Sequence, residues 1–87
     1  MNKNDKKIAK KIIELSEGAD VFWFGLHKNK TLAKKKVERL NTILRGTGAK
    51  AKIEFARNYN RRGYDWGSII TNFTISAENK LKKKFNL

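Results

Sequence analysis

Apolar residues recur at helical spacing in two stretches of the chain, residues 3–16 and 31–45. In the first stretch they share one side and lysines project from the other, which predicts an amphipathic helix with a basic outer surface. Gly18 is the expected C-terminal stop of this helix. The apolar stripe of the second stretch consists of Leu32, Ala33, Val37, Leu40, Ile43 and Leu44. We expect Thr31 to cap this second helix and the glycines at 46 and 48 to end it.

Two further stretches have the residue patterns of β-strands. Residues 21–26 form a short apolar and aromatic run, which is typical of a strand buried on both faces. We interpret its aromatic residues as core, with Trp23 half exposed if the helices cover one face of the sheet. Residues 49–57 alternate, with Ala51, Ile53 and Phe55 on one side and charged residues on the other, which predicts a half-buried strand.

The C-terminal third predicts a β-hairpin arm followed by a helix. Residues 64–75 are rich in aromatic and β-branched residues, and the turn-forming residues 58–63 precede them. Gly67 marks an expected bulge or kink in this arm. Ser76 is the expected cap of a short final helix on which Ala77, Leu81 and Phe85 share a face.

The predicted order is α-β-α-β-β-α. Nothing repeats and no linker divides the chain, so residues 1–87 form one small α+β domain. A three-stranded sheet with helices packed on one face is the simplest architecture for these elements. We expect the first strand, the second helix and the next strand to form a right-handed crossover between parallel strands, and the rest of the sheet to be an antiparallel hairpin.

The net charge of the chain bears on its function. Lys and Arg number 21 against eight Asp and Glu, a formal net charge of +13. Like charges repel on compaction, so this excess favours binding to a polyanion, where each neutralised phosphate releases a counterion. The sequence therefore predicts a nucleic-acid-binding domain.

The predicted hairpin contains the densest mixture of cations and aromatic rings. Single-stranded nucleic acid needs cations along its phosphates and flat groups on which its bases stack. The candidate binding residues of this region are Arg57, Tyr59, Arg61, Arg62 and Tyr64. Trp66 is more typical of a residue packed beneath the hairpin. The candidate phosphate-binding lysines are Lys7, Lys10, Lys34, Lys35, Lys50 and Lys52.

The sequence contains few features of a metal site, a catalytic site or a membrane segment. The chain has no cysteine and one histidine, His27, which excludes thiolate zinc sites and multi-histidine metal centres. No pair of carboxylates resembles acid–base machinery, so we expect no cofactor, no metal and no catalysis. No continuous apolar stretch predicts a secretory signal or a membrane span, and we expect a cytoplasmic protein.

The favoured hypothesis is a non-catalytic protein that binds RNA, in preference to DNA, through the phosphate backbone with limited sequence specificity. It would serve as an accessory factor, or as an inhibitor or antitoxin-like factor that acts on a nucleic-acid enzyme through bound RNA. One alternative is an interaction module that docks on an acidic protein partner. Another is a small endoribonuclease, since size, charge and mixed α/β content are similar to those of RelE-like messenger-RNA interferases. Such an enzyme would draw on His27 and on the arginines and tyrosines of residues 57–64.

In its gross character the chain also resembles the small early proteins of T-even-type phages. It is short, rich in Lys, Asn and Ile, and free of Cys and Pro. Among these phage proteins, TifA-type inhibitors of the ToxN endoribonuclease are basic, similar in size and implicated with RNA. The resemblance covers size, charge and composition over the full length and rests on no diagnostic motif. It implies an RNA-linked inhibitor and assigns no residue a role.

Overall fold

The computed structural model describes residues 3–56 and 63–87, which fold into three helices and three strands. In chain order the elements are α1 (Lys3–Ser16), β1 (Phe22–His27), α2 (Lys30–Leu44), β2 (Lys50–Phe55), β3 (Trp66–Thr71) and α3 (Ile75–Phe85). The predicted order α-β-α-β-β-α and the α+β class are therefore confirmed.

β3 is the central strand of the sheet, and both β1 and β2 run antiparallel to it. β1 and β2 consequently run in the same direction, as predicted for two strands joined through α2. They are not adjacent, however, because β3 lies between them. β2 and β3 pair from Lys50 opposite Thr71 to Phe55 opposite Trp66. Residues 58–62 of the predicted turn lie outside the described residues.

The core lies between the helices and one face of the sheet. Phe22, Ile70 and Ala51 form a row across the three strands, and each is less than a tenth exposed. The helices cover this face with buried apolar side chains: Ala9, Ile12, Leu40, Ile43, Leu44, Ala77, Leu81 and Phe85. Removal of this apolar surface from water is the main driving force for folding. The predicted packing of the helices on one face is confirmed.

Both predicted helix caps are wrong by two residues. The cap of α2 is Asn29, whose Oδ1 accepts a hydrogen bond from the Leu32 amide at 2.9 Å, and not Thr31. The cap of α3 is Thr74, whose Oγ1 accepts from the Ala77 amide at 3.1 Å, and not Ser76. In each case an earlier residue has the extended backbone that directs its side-chain oxygen at the first free amides.

The strands are shorter or shifted relative to the predicted stretches. β1 begins at Phe22, whose pairing partner is Ile70, and Val21 before it is 53% exposed. One face of β1 is half-buried, so the prediction of burial on both faces is wrong. β3 ends at Thr71, and the next residue, Asn72, has a left-handed backbone with a φ of 59°. That conformation is incompatible with a continuing strand.

Candidate nucleic-acid interface

The sheet turns one face away from all three helices, and we call it the open sheet face. Side chains alternate along each strand, so the residues next to the buried row of Phe22, Ile70 and Ala51 point to the opposite side. The side chains of the open sheet face are Trp23 and Leu26 from β1, Lys50, Lys52 and Glu54 from β2, and Ile69 and Thr71 from β3. The charged members are exposed, and the others are half-buried.

An irregularity in β1 decides which of its side chains reach this face. Trp23 lies opposite Ile69 and Gly25 lies opposite Ser68, so β1 has one more residue than β3 between these pairs. Such a bulge reverses the alternation that follows it. Beyond it, Leu26 is on the open sheet face and His27 is on the helical side. The predicted bulge at Gly67 is therefore wrong, because the extra residue lies in the partner strand.

Gly67 instead accommodates the Trp23 ring. A Cβ atom added to Gly67 would lie 2.2 Å from Cζ3 and 2.6 Å from Cε3 of Trp23. The backbone partner of Trp23 is Ile69, two residues along β3 from Gly67. The ring therefore leans along the sheet from its own row onto the next row. The predicted partial exposure of Trp23 is confirmed.

The predicted phosphate-binding lysines divide between two sides of the molecule. Lys50 and Lys52 lie on the open sheet face, both exposed and about 7 Å apart along β2. The other four are exposed on the helical side: Lys7 and Lys10 on α1, and Lys34 and Lys35 on α2. The fold places Lys50 and Lys52 on the same sheet face as Trp23, with β3 between them, an arrangement that the sequence pattern did not predict.

The base of the predicted hairpin carries a second aromatic group. The Phe55 and Trp66 rings meet edge to face, with centroids 5.0 Å apart. Lys30 Nζ lies 5.5 Å from the Trp66 ring centre, and Lys28 Nζ lies 5.8 Å from that of Tyr64. Tyr64 is half-buried, and its assignment to nucleic-acid binding stays a prediction. The other candidates of this region, Arg57, Tyr59, Arg61 and Arg62, lie outside the described residues.

His27 is directed into the fold. Its Nε2 lies 3.2 Å from the hydroxyl of Ser68, a residue with no exposed surface. Burial, and secondly the positive charge of Lys36, lower the pKa of His27 below its ordinary value of 6.5. The ring is therefore neutral at pH 7, and its contact with Ser68 gives it a structural role.

Several lysines engage other parts of the protein and are less available to a ligand. Lys84 Nζ donates to the carbonyl oxygens of Thr42, Ile43 and Arg45 at 3.0–3.3 Å, so it neutralises the C-terminus of α2. Lys11 and Lys36 place their ammonium groups 5.4 and 5.8 Å from the Phe24 ring centre. The sequence contains no local signal for these contacts, because each joins residues distant along the chain.

In the part of the chain that the structure describes, no cluster of three or more His, Cys, Asp or Glu side chains is placed to hold a metal ion. No described helix has the length and apolar character needed to cross a membrane. No protein-family model, curated protein or solved structure matches the chain.

Proposed function

We propose that this protein binds RNA through the phosphate backbone, without catalysis and with limited sequence preference. The observation that carries the proposal is the pair of exposed lysines, Lys50 and Lys52, on the same sheet face as Trp23, a face that none of the three described helices covers. Cations that follow phosphates and rings that stack on bases are the two requirements for binding a single strand.

Few of the described cationic side chains are paired with a carboxylate, and this supports the same proposal. Within residues 3–56 and 63–87, two cationic side chains lie within ion-pair distance of a carboxylate. Arg39 is 2.6 Å from Asp5, and Lys82 is 3.8 Å from Glu78. The remaining excess charge leaves a strong positive potential, which a polyanion neutralises with release of its counterions.

The type of cation supports limited sequence preference. Among the described residues, the two cations of the open sheet face are lysines, which act as point charges on flexible stems. Base-specific recognition favours the planar fork of arginine, which pairs with base edges through two hydrogen bonds. Lysines that contact phosphate position a strand without discriminating its sequence.

The inward contact of His27 supports a binding role over a catalytic one. In the endoribonuclease alternative His27 is the histidine of the site, but its Nε2 faces the fully buried Ser68 hydroxyl. A general base must lie within hydrogen-bond reach of the group from which it takes a proton. We further propose that the protein inhibits a nucleic-acid enzyme, which it reaches through the bound RNA.

The test is a titration of labelled single-stranded RNA, double-stranded RNA and duplex DNA at several salt concentrations, with RNA integrity checked afterwards. We expect single-stranded RNA to bind most tightly, to remain intact and to lose affinity steeply with salt. Replacing both Lys50 and Lys52 by Gln should make the logarithmic salt slope less steep by about 1.4, since each phosphate contact to a single strand contributes about 0.7. The matched control replaces Lys80 and Lys83, two exposed lysines of α3, and removes the same charge from the helical side.

Each alternative has its own outcome in this experiment. Cleaved RNA would overturn the non-catalytic assignment in favour of the ribonuclease. Equal affinity for duplex DNA would overturn the preference for RNA. Absence of binding near physiological salt would overturn the proposal as a whole and favour an acidic protein as the partner.

A further inference from the structure

We infer that a cleft beside the open sheet face binds one nucleotide of the RNA, with its phosphate between Arg45 and Lys50. The sugar and base of this nucleotide pack against Leu44 and Ala49. The cleft lies where α2 ends and β2 begins. This inference rests on the proposed function and deepens it, because it adds an arginine and a defined nucleotide position to the interface.

The first step is the shape of the cleft. Its volume is about 450 Å³, which lies in the range of sites that bind small ligands. Leu44 and Ala49 line it and are otherwise buried, with 1% and 5% of their surfaces exposed. Gly46 and Gly48 also line it, and a Cβ atom added to either would meet no atom within 4 Å. The cleft therefore has an apolar floor, and no side chain from the two glycines fills it.

The second step is the charge of the cleft. Arg45 and Lys50 both line it, and both are exposed. Within residues 3–56 and 63–87, neither side chain is part of an ion pair, and none of the described residues that line the cleft is acidic. The planar fork of a guanidinium group matches the geometry of a phosphate, and an ammonium group adds a point charge. Two cations thus flank a space in which no described carboxylate competes for them.

The third step concerns the end of α2 beside the cleft. The last carbonyl groups of a helix carry a partial negative charge, which repels an anion. Here Lys84 Nζ donates to the carbonyl oxygens of Thr42, Ile43 and Arg45 at 3.0–3.3 Å. Lys84 therefore offsets the negative end of the helix dipole, so a phosphate can approach Arg45 without this repulsion.

The fourth step is that Lys50 belongs to both surfaces. It lies on the open sheet face, with Lys52 about 7 Å away along β2, and it also lines the cleft. β2 is an edge strand, so no other strand of the described sheet separates the two surfaces. An RNA strand whose phosphates contact Lys52 and Lys50 can therefore continue around this edge to Arg45.

The test observes the cleft by NMR in isotopically labelled protein. The probes are a single-stranded oligoadenylate of about 10 nucleotides and an inorganic polyphosphate of similar charge, which has no bases. Both probes should shift the amide signals of Gly46 and Gly48 more than the signal of Gly18, which follows α1. The oligoadenylate alone should shift the methyl signals of Leu44 and Ala49, because the ring current of an adjacent adenine acts on them.

Substitution of the arginine gives an independent measure of the same site. Arg45→Gln should weaken oligoadenylate binding about fivefold at about 0.1 M salt and make the logarithmic salt slope less steep by about 0.7, as for one lost phosphate contact. Arg45→Lys keeps the charge and should retain the slope. The matched control is Arg39→Gln, which removes the same charge from an exposed arginine that is paired with Asp5. This control should leave the slope unchanged.

The outcomes separate this inference from the proposed function. RNA that binds without shifting either glycine signal, or that loses equal affinity in Arg45→Gln and Arg39→Gln, would overturn the inference and leave the proposed function intact. Equal methyl shifts from polyphosphate and oligoadenylate would also overturn it, because the cleft would then bind phosphate without a base. Failure of oligoadenylate to bind the unsubstituted protein near physiological salt would instead overturn the proposed function.

Discussion

The side chain of Asn41 forms two hydrogen bonds with the backbone of Ala51. Its Nδ2 donates to the Ala51 carbonyl oxygen at 3.0 Å, and its Oδ1 accepts from the Ala51 amide at 2.8 Å. Ala51 belongs to β2, an edge strand of the sheet. Backbone groups at an edge are a template for pairing with another chain. Asn41 occupies them and fastens α2 to the sheet at the same time.

Replacing Asn41 by Ala should therefore destabilise the fold and expose the edge. Two backbone groups of a buried residue lose their partners, which costs about 1–3 kcal/mol in the free energy of unfolding. Urea unfolding measures this loss, and sedimentation shows whether the variant self-associates. Asn41→Asp is the informative companion, because a carboxylate still accepts from the Ala51 amide but cannot donate to its carbonyl group. An Asn41→Ala variant of unchanged stability would show that water replaces both hydrogen bonds without cost.

Two apolar residues that look equivalent in the sequence should respond differently to truncation. Leu40 has no exposed surface, so Leu40→Ala should lower the free energy of unfolding by about 2–5 kcal/mol. Ile53 is half-buried near the edge of the sheet, and Ile53→Ala should cost distinctly less. Urea unfolding of the two variants under one condition checks the order. Equal losses would mean that Ile53 is packed as tightly as the core.

The comparison of Leu40 with Ile53 illustrates what a sequence pattern can establish. Helical spacing identified most of the buried stripe of α2 because each residue of a helix faces a fixed direction relative to its neighbours. Leu32, which was predicted to belong to this stripe, is 44% exposed. Alternation along β2 identified which side faces inward, but not how far the helices extend over it. Phe55 continues the same alternation and is nevertheless 50% exposed. Coverage depends on helix placement, which no local pattern encodes.

The candidate site was predictable in kind but not in location. Charge and composition indicated phosphate binding, and alternation placed Lys50 and Lys52 on one side of a strand. The position of Trp23 on the same face depends on the pairing of β1 with β3, which sets Trp23 opposite Ile69. Trp23 and Ile69 are 46 positions apart in the sequence, so local spacing carries no information about their pairing.

Lys84 should contribute to stability more than its neighbours do. Its ammonium group donates to three carbonyl oxygens at the end of α2, where the helix dipole favours a cation. Replacing Lys84 by Met should lower the free energy of unfolding by about 1 kcal/mol. Lys83→Met is the control, since it removes the same charge from an exposed position of the same helix. Equal thermal unfolding of the two variants would contradict a specific role for Lys84.

The stability of the protein should depend on pH through His27. Burial lowers the pKa of this ring in the folded state below 6.5, so the unfolded chain binds its proton more readily. The contribution of neutral His27 to the free energy of unfolding is complete above about pH 6.5. It is lost as the pH falls from there through the lowered folded-state pKa of the ring. Urea unfolding from about pH 7.5 to 5.5 measures the decline. His27→Gln should flatten the profile across this window, and an unchanged slope in the variant would assign the decline to other groups.

We expect any side chain at position 67 to displace the Trp23 ring. An added Cβ would approach two ring carbons to 2.2 and 2.6 Å, so the ring must move off the sheet or the strands must separate. We expect Gly67→Ala to cost about 1–3 kcal/mol, as for other overpacked sites. Gly25→Ala is the matched control on the neighbouring strand, where the nearest atom would be 3.9 Å away.

The position of the ring can be followed separately from stability. In the Trp66→Phe background, Gly67→Ala should shift the emission of Trp23 to longer wavelength as the ring becomes more exposed to water. Gly25→Ala should leave it unchanged. A Gly67→Ala variant with native stability and emission would mean that the ring does not rest on Gly67.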